Sequence, residues 1–304
     1  MNRHFPPDPL TLSQAIQFTV SYADIFDYPM TAEEIHRYLI QFAANPVEVV
    51  EALQFSSALA KVRDYYMLPG RENLADIRLQ RDLASVQLWE QAARYGLAIT
   101  RLPFIRMVAV TGSLAMNNTD LAQGADIDFL IVTAPGRLWS TRALLLLFVR
   151  RAALAGVSLC PNYLVTTQAL AFPDHNLYAA HEVAQMIPLS GLDYYAEIRW
   201  KNTWVDQFLP NAENYPRRLD TIRKSSGDSP FRTLVEMMMQ TPPGTWIERM
   251  EMERKIRKLT WQQSGSLEST FSADVCKGHA NRHAAQSQAA FIERLRSLSL
   301  EVET

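Results

Sequence analysis

Cysteine is scarce in this chain: Cys160 and Cys276 are the two among 304 residues. They lie far apart and form no CxxC pair, which argues against both a disulfide scaffold and a cysteine-rich zinc site. A charge excess of one sign is also missing. The formal net charge of −2 at neutral pH supplies no overall basic field to gather nucleic acid. Long apolar runs are lacking. The most apolar stretch is ALLLLFV, closed by Arg150 and Arg151, far short of the about twenty residues that span a bilayer. The opening MNRHFPPDPL has no apolar core of the kind a signal peptide carries. Internal repeats and low-complexity tracts are absent too. These absences point to a reducing, cytoplasmic protein with no membrane partner.

What is present is globular material. Hydrophobic residues make up 48% and charged residues 20%, a balance that supports a sizeable core. The length suits two or three domains. After a proline-rich start, three short helices are expected. The first covers residues 12–23. The second opens at Thr31, where Thr31-x-x-Glu34 reads as a capping box. The third opens near Asn45, with Pro46 at its first position and Val49, Val50 and Leu53 as its apolar face. Residues 59–69 then read as two strands turning at Arg63-Asp64. Three helices and a hairpin is the order of a winged helix-turn-helix. The third helix carries Glu48 and Glu51, so it is poorly equipped to meet phosphates. A structural or protein-docking wing fits better than a DNA reader.

A longer helix follows over residues 72–95, with Leu79, Leu83, Val86, Leu88 and Trp89 on its apolar side and Arg78, Arg81 and Asp82 on its wet side. Then comes a strand (106–110), a Gly112-Ser113 turn with a short helix, a strand (127–132), a helix (138–155) and a strand (158–166). Helices are expected over 178–186 and 193–208, with Trp200 and Trp204 packed in the core. The tail reads as a loop over 211–230 and helices over 245–263 and 284–298, with 265–273 a loop. His279 and His283, though spaced by four, read as surface. The basic run Arg249, Arg254, Lys255, Arg257, Lys258 alternates with glutamates and reads as a salt-bridged helix face.

The stretch VAVTGSLAMNNTDLAQGADIDFLIV holds the chemistry. Side chains alternate along a strand, so Asp126 and Asp128 share one face and Ile127 and Phe129 the other. Two neighbouring carboxylates repel one another and resist desolvation. A Mg²⁺ ion is a natural partner, since it takes one or two protein carboxylates and completes its shell from water and phosphate. Glycine in the preceding turn lets backbone approach a ligand, and a helix opening at Ser113 would aim free N–H groups at a phosphate. A phosphate cradle beside a metal-binding carboxylate pair is equipment for phosphoryl transfer.

On these residues the chain resembles the DNA polymerase beta-like nucleotidyltransferase superfamily. The signature there is a hydrophobic residue, Gly, Gly or Ser, a spacer, then acid-hydrophobic-acid-hydrophobic. This chain has Thr111 in the first place, then Gly112-Ser113, twelve residues, and Asp126-Ile127-Asp128-Phe129. The surroundings are similar to a bacterial family of uncharacterised nucleotidyltransferase-domain proteins. The pieces are Tyr22-Ala-Asp-Ile-Phe-Asp-Tyr-Pro29, Leu68-Pro-Gly-Arg71, Leu159-Cys-Pro-Asn-Tyr163 and Leu209-Pro-Asn211.

The resemblance implies an α+β chain in three parts. These are a winged-helix-like domain over 1–71, a nucleotidyltransferase core with a small mixed sheet over 72–170, and a helical region over 171–304. It implies transfer of a nucleoside monophosphate from a nucleoside triphosphate to an unidentified acceptor, with release of pyrophosphate. Gly112 and Ser113 would hold the triphosphate. Asp126 and Asp128 would be catalytic and bind Mg²⁺ (or Mn²⁺). A third carboxylate is expected on a later strand, and residues 157–165 contain none. Either Asn162 is a weakened ligand, or Glu182 on the next helix reaches in, or the catalytic ion binds poorly. Arg137, Arg142 and Asn117 are the further nucleotide-binding candidates, with the two arginines expected near the open end of the site. The alternative function is a catalytically degenerate nucleotide sensor coupled to the winged helix. A DNA-binding regulator is a third reading, against which the charge argues.

Overall fold

The computed structural model describes residues 11–119, 125–212, 230–262, 269–278 and 283–298. It is an α+β fold with eleven α-helices, a mixed six-stranded sheet and a two-stranded antiparallel hairpin among these residues.

The first three helices, α1 (Leu12–Asp24), α2 (Ala32–Arg37) and α3 (Pro46–Gln54), each open on a capping box. Thr11 pairs with Gln14, Thr31 with Glu34, and Asn45 with Glu48. Each box satisfies N–H groups that a helix start otherwise leaves orphaned. The hairpin β1 (Ala60–Val62) and β2 (Tyr65–Met67) turns at Arg63, whose φ is 54°. It docks on the helices through an antiparallel bridge between Tyr66 and Met30. The solvent side of α3 carries Glu48, Glu51 and Val47.

The large sheet has the order β6-β3-β4-β5-β8-β7. Its centre is β3 (Ile105–Thr111), β4 (Ile127–Thr133) and β5 (Leu159–Thr166). The β3/β4 pair is antiparallel and the β4/β5 pair is parallel. Between β3 and β4 lies the one-turn helix α5 (Gly112–Ala115). The crossover from β4 to β5 is α6 (Leu138–Leu154), as a parallel pair requires. Strands β3 and β4 are near-continuous apolar runs because both sheet faces are covered. Val108, Val110, Phe129 and Ile131 pack with α4 (Leu74–Ile99) and α6. Met107, Ala109, Leu130 and Val132 pack on the other side with the N-terminal helices.

The C-terminal part differs from the all-helical expectation. Helix α7 (Leu177–Gln185) runs straight into β6 (Ile187–Ser190), and α8 (Leu192–Lys201) gives way to a 3-10 helix at Thr203–Gln207. Helices α9 (Pro230–Met239) and α10 (Pro242–Gln262) precede β7 (Thr270–Phe271) and β8 (Val275–Lys277). Helix α11 (His283–Ser297) closes the described chain. Strands β6, β7 and β8 are too short for alternation to reveal them. Pro188 would argue against a strand, yet β6 lies at the sheet edge, where a missing N–H costs nothing. The hydrophobic core on the N-terminal side runs unbroken from Ile16 through Val132 to Phe291. All three segments of the chain therefore contribute to it.

Two side-chain expectations are reversed. On α4, Arg78 is 3% exposed while Leu83 is 74% exposed. The Arg78 guanidinium ion-pairs with Glu34 at 3.1 Å and Asp82 at 3.2 Å and lies over the Tyr28 ring. The helix turns this face toward the N-terminal helices because their buried Glu34 requires a cation there. Trp200 is mainly exposed, whereas Trp204 is buried and stacked on His175. The basic run on α10 forms the expected pairs, Arg249 with Glu253 and Arg254 with Glu251. Glu248 instead turns inward and accepts from the N–H groups of Trp139 and Ser140, both at 2.8 Å, capping α6. His279 lies outside the described residues. Among the described residues no helix is long and apolar enough to cross a membrane.

Candidate functional site

Strand β3 ends at Thr111, which stands opposite Asp128 of β4. The chain then turns at Gly112, with φ of +66°. That conformation is costly for a residue with a Cβ. A second constraint is steric, since a Cβ there would fall 2.4 Å from Asp128 Oδ2. Backbone and carboxylate therefore meet without an intervening side chain. The helix that follows, α5, is a single turn. It offers backbone N–H groups but not the dipole of a full helix. Ser113 is exposed, and its hydroxyl lies 3.4 Å from that of Thr119.

Asp126 and Asp128 flank the buried Ile127 at the start of β4. Asp126 is exposed and Asp128 is partly buried. Burial pushes the Asp128 carboxyl up to about 6; the hydrogen bond from the Cys160 thiol works the other way, and the Asp126 charge adds to the rise. Cys160 stands beside Asp128 in the parallel register. Burial and the Asp128 charge push its thiol up to about 12, so it stays a neutral donor.

Past Cys160 the β4/β5 register shifts, as at a bulge that re-aims side chains. Asn162 there lines a cavity of about 230 Å³ with Thr111, Tyr163, Glu182 and Lys277. Glu182 comes from α7, whose start is fixed by the Asn176 side chain accepting from Ala179 N–H at 2.9 Å. Burial, and next the Asp128 charge, lift the Glu182 carboxyl to about 7, with Lys277 opposing. Of the alternatives for a third acid, the fold thus brings Glu182 within electrostatic reach of Asp128, and Asn162 lines the same cavity.

Lys277 was not legible in the sequence. It arrives on β8, which pairs with β5, pairs with Asp174, and lies 5.6 Å from the centre of the Tyr163 ring. A single lysine beyond a glycine- and serine-rich stretch of sequence carries no signal by itself.

The other basic candidates are not brought to this place. Arg137 and Arg142 follow the far end of β4, and strand rise of about 3.3 Å per residue separates them from the aspartates. Arg137 bonds Gly136 O and Thr245 and lies over the Phe104 ring. Arg142 lies beside Trp139 and Cys276. Asn117 remains close to the glycine turn, but its Oδ1 accepts from Trp89 Nε1 at 2.7 Å. Its neighbour Asn118 links Arg81 to the Phe26 carbonyl. The two asparagines therefore tie the turn to α4 and to the segment just after α1.

The donor set suits a hard divalent cation. Asp126 and Asp128 are oxygen donors on either side of the buried Ile127, close enough that the Asp126 charge acts on the Asp128 carboxyl. No group of three or more His, Cys, Asp or Glu side chains among the described residues is arranged to hold a metal without other ligands. The protein would thus supply the one or two carboxylates that Mg²⁺ takes, with phosphate and water supplying the rest.

Comparison with protein-family models, with curated proteins and with solved structures returns no match to the chain.

Proposed function

We propose that the chain is a Mg²⁺-dependent nucleotidyltransferase of the polymerase beta-like kind. It would move a nucleoside monophosphate from a nucleoside triphosphate to an acceptor hydroxyl or phosphate. The observation that carries this reading is the contact between Gly112 and Asp128, where a Cβ would lie 2.4 Å from Oδ2. It sets the backbone N–H groups of the turn beside a carboxylate that feels the Asp126 charge.

Phosphate oxygens would meet the N–H groups of the Gly112-Ser113 turn. Asp126 and Asp128 would hold Mg²⁺ or Mn²⁺, which supplies charge neutralisation on the phosphates and a more acidic attacking oxygen. Glu182, with a carboxyl near 7, is tuned for a general base at neutral pH. It would take the acceptor proton as the acceptor oxygen bonds the α-phosphorus, and the bond from that phosphorus to the β-phosphate bridge breaks, releasing pyrophosphate. Lys277 would face anionic oxygen from the opposite wall of the cavity. Helix α7 would thereby replace the acid that β5 lacks.

A second reading, a nucleotide sensor without turnover, is favoured by the lack of an acid on β5, where Asn162 lines the cavity instead. Calorimetric titration with each nucleoside triphosphate, with and without Mg²⁺, paired with a pyrophosphate-release assay, separates the two. Mg²⁺-dependent binding with release supports the enzyme, and binding without release supports the sensor. Equal binding by the Asp126→Ala/Asp128→Ala double variant overturns both.

A further inference from the structure

Helix α10 turns Met252, Ile256 and Leu259 onto the core that α6 shares with the sheet. Its opposite face is exposed although much of it is apolar: Trp246 is 61% exposed, Met250 50% and Trp261 80%. Glu253, Arg254 and Arg257 share that face and are exposed as well. At about 100° per residue, these six side chains leave the helix within an arc of about 100°. On α9, which packs against α10, Leu234, Met237 and Met238 are exposed too. Large apolar side chains gathered on one surface in this way mark a contact site.

The stripe is symmetric along the helix. Positions 246, 250, 253, 254, 257 and 261 are separated by four, three, one, three and four residues. The spacing is the same read backwards, so a second α10 laid antiparallel about a twofold axis between residues 253 and 254 matches every position. Trp246 then meets the partner's Trp261. Met250 meets the partner's Arg257, whose aliphatic stem can lie along the thioether. Glu253 meets the partner's Arg254, and the symmetry makes each contact twice. Helices crossing near 20° stay in contact over several turns, and the stripe from Trp246 to Trp261 is about 22 Å long.

The charge pattern separates the occupants this face could take. A lipid surface suits a helix whose charges lie on the face away from its apolar stripe, whereas here an acid and a base sit mid-stripe between two tryptophans. A nucleic acid needs cations free to meet phosphate, whereas Glu253 holds Arg249, and Glu251 holds Arg254 and, at 4.0 Å, Lys255. An acid beside a base at the centre of a symmetric stripe is complementary to its own twofold copy. We propose that the chain forms a twofold-symmetric dimer through antiparallel pairing of α10, with Glu253 and Arg254 joined across the axis to their counterparts. The inference is independent of the nucleotidyltransferase reading.

Sedimentation velocity of the full chain over a dilution series tests this. The proteins are wild type, Glu253→Arg, Arg254→Glu, the Glu253→Arg/Arg254→Glu double variant and Trp261→Ala. All three residues are exposed, and circular dichroism checks that each variant folds. Wild type is expected at twice the chain mass. Each single reversal sets like charges together twice across the axis and should weaken association at least about tenfold. The double variant restores opposite charges at both contacts and should return to within about threefold of wild type. Trp261→Ala should weaken association about tenfold or more. A dimer indifferent to either single reversal or to Trp261→Ala, or a double variant as weak as the single ones, overturns the inference. A chain that stays monomeric at every concentration overturns it too, and retention on phosphatidylserine vesicles or on oligouridylate would then identify a different occupant.

Discussion

Asp128 Oδ2 lies against the Cα of Gly112, so close that a Cβ on residue 112 would stand 2.4 Å from it. The contact joins the end of β3 to the start of β4 across an antiparallel register in which Thr111 faces Asp128. A side chain at position 112 would therefore have to displace the Asp128 carboxylate, and its φ of +66° adds a backbone penalty.

Gly112→Ala is expected to lower stability by about 2–4 kcal/mol, combining left-handed strain with displacement of a carboxylate. Chemical denaturation measures the loss. The same variant should lose Mg²⁺-dependent nucleotide binding under conditions where it remains folded. A variant as stable as wild type would show that the turn relaxes freely.

The pH response follows from two carboxyls lifted by burial, Asp128 to about 6 and Glu182 to about 7. Unfolded carboxyls ionise near 4. Between those values the folded chain holds more protons than the unfolded chain, so these groups favour folding at low pH and lose that contribution as pH rises through 6 and 7. Glu182→Gln should therefore flatten the dependence and raise the melting temperature at pH 8 relative to wild type. Mg²⁺ with nucleotide should offset the wild-type loss at pH 8. Melting scans from pH 5 to 8 provide the check, and parallel curves for the two proteins would contradict the assignment.

Arg78 and Glu34 form an ion pair at 3.1 Å with both side chains nearly inaccessible. Losing one partner strands the other charge, so Arg78→Met should cost about 3–5 kcal/mol. The Arg78→Met/Glu34→Leu double variant should recover part of it, because no buried charge is left facing Glu34's place, while the Thr31 cap and the Asp82 pair stay lost. Urea denaturation of the two variants tests this, and additive losses in the double variant would count against a coupled pair.

Local chemistry carried the elements that sequence made legible. The capping box at Thr31 and Pro46 after Asn45 placed two helix starts because such signals lie within one turn of chain. The glycine turn and the aspartate strand were legible because alternation over a few residues fixes which face each side chain takes. The burial of Arg78 was not, since the residue demanding its charge, Glu34, sits on another helix. For the same reason α4 exposes leucines that a helical pattern alone assigns to the core. Arg137 and Arg142 were placed at the site from proximity in sequence, and the length of β4 carries them away from it.

By itself, then, the amino-acid order determined where helices start, where the chain turns, and that Asp126 and Asp128 flank a buried Ile127. Only the tertiary structure decided which groups join them. The sheet order sets β8 next to β5 and so brings Lys277 to Asn162. Packing α7 beneath α1 brings Glu182 toward Asp128 and Tyr22. The physical reason is range: backbone geometry and caps act within a turn of chain, whereas charge, burial and strand pairing couple residues that meet only after the core has closed.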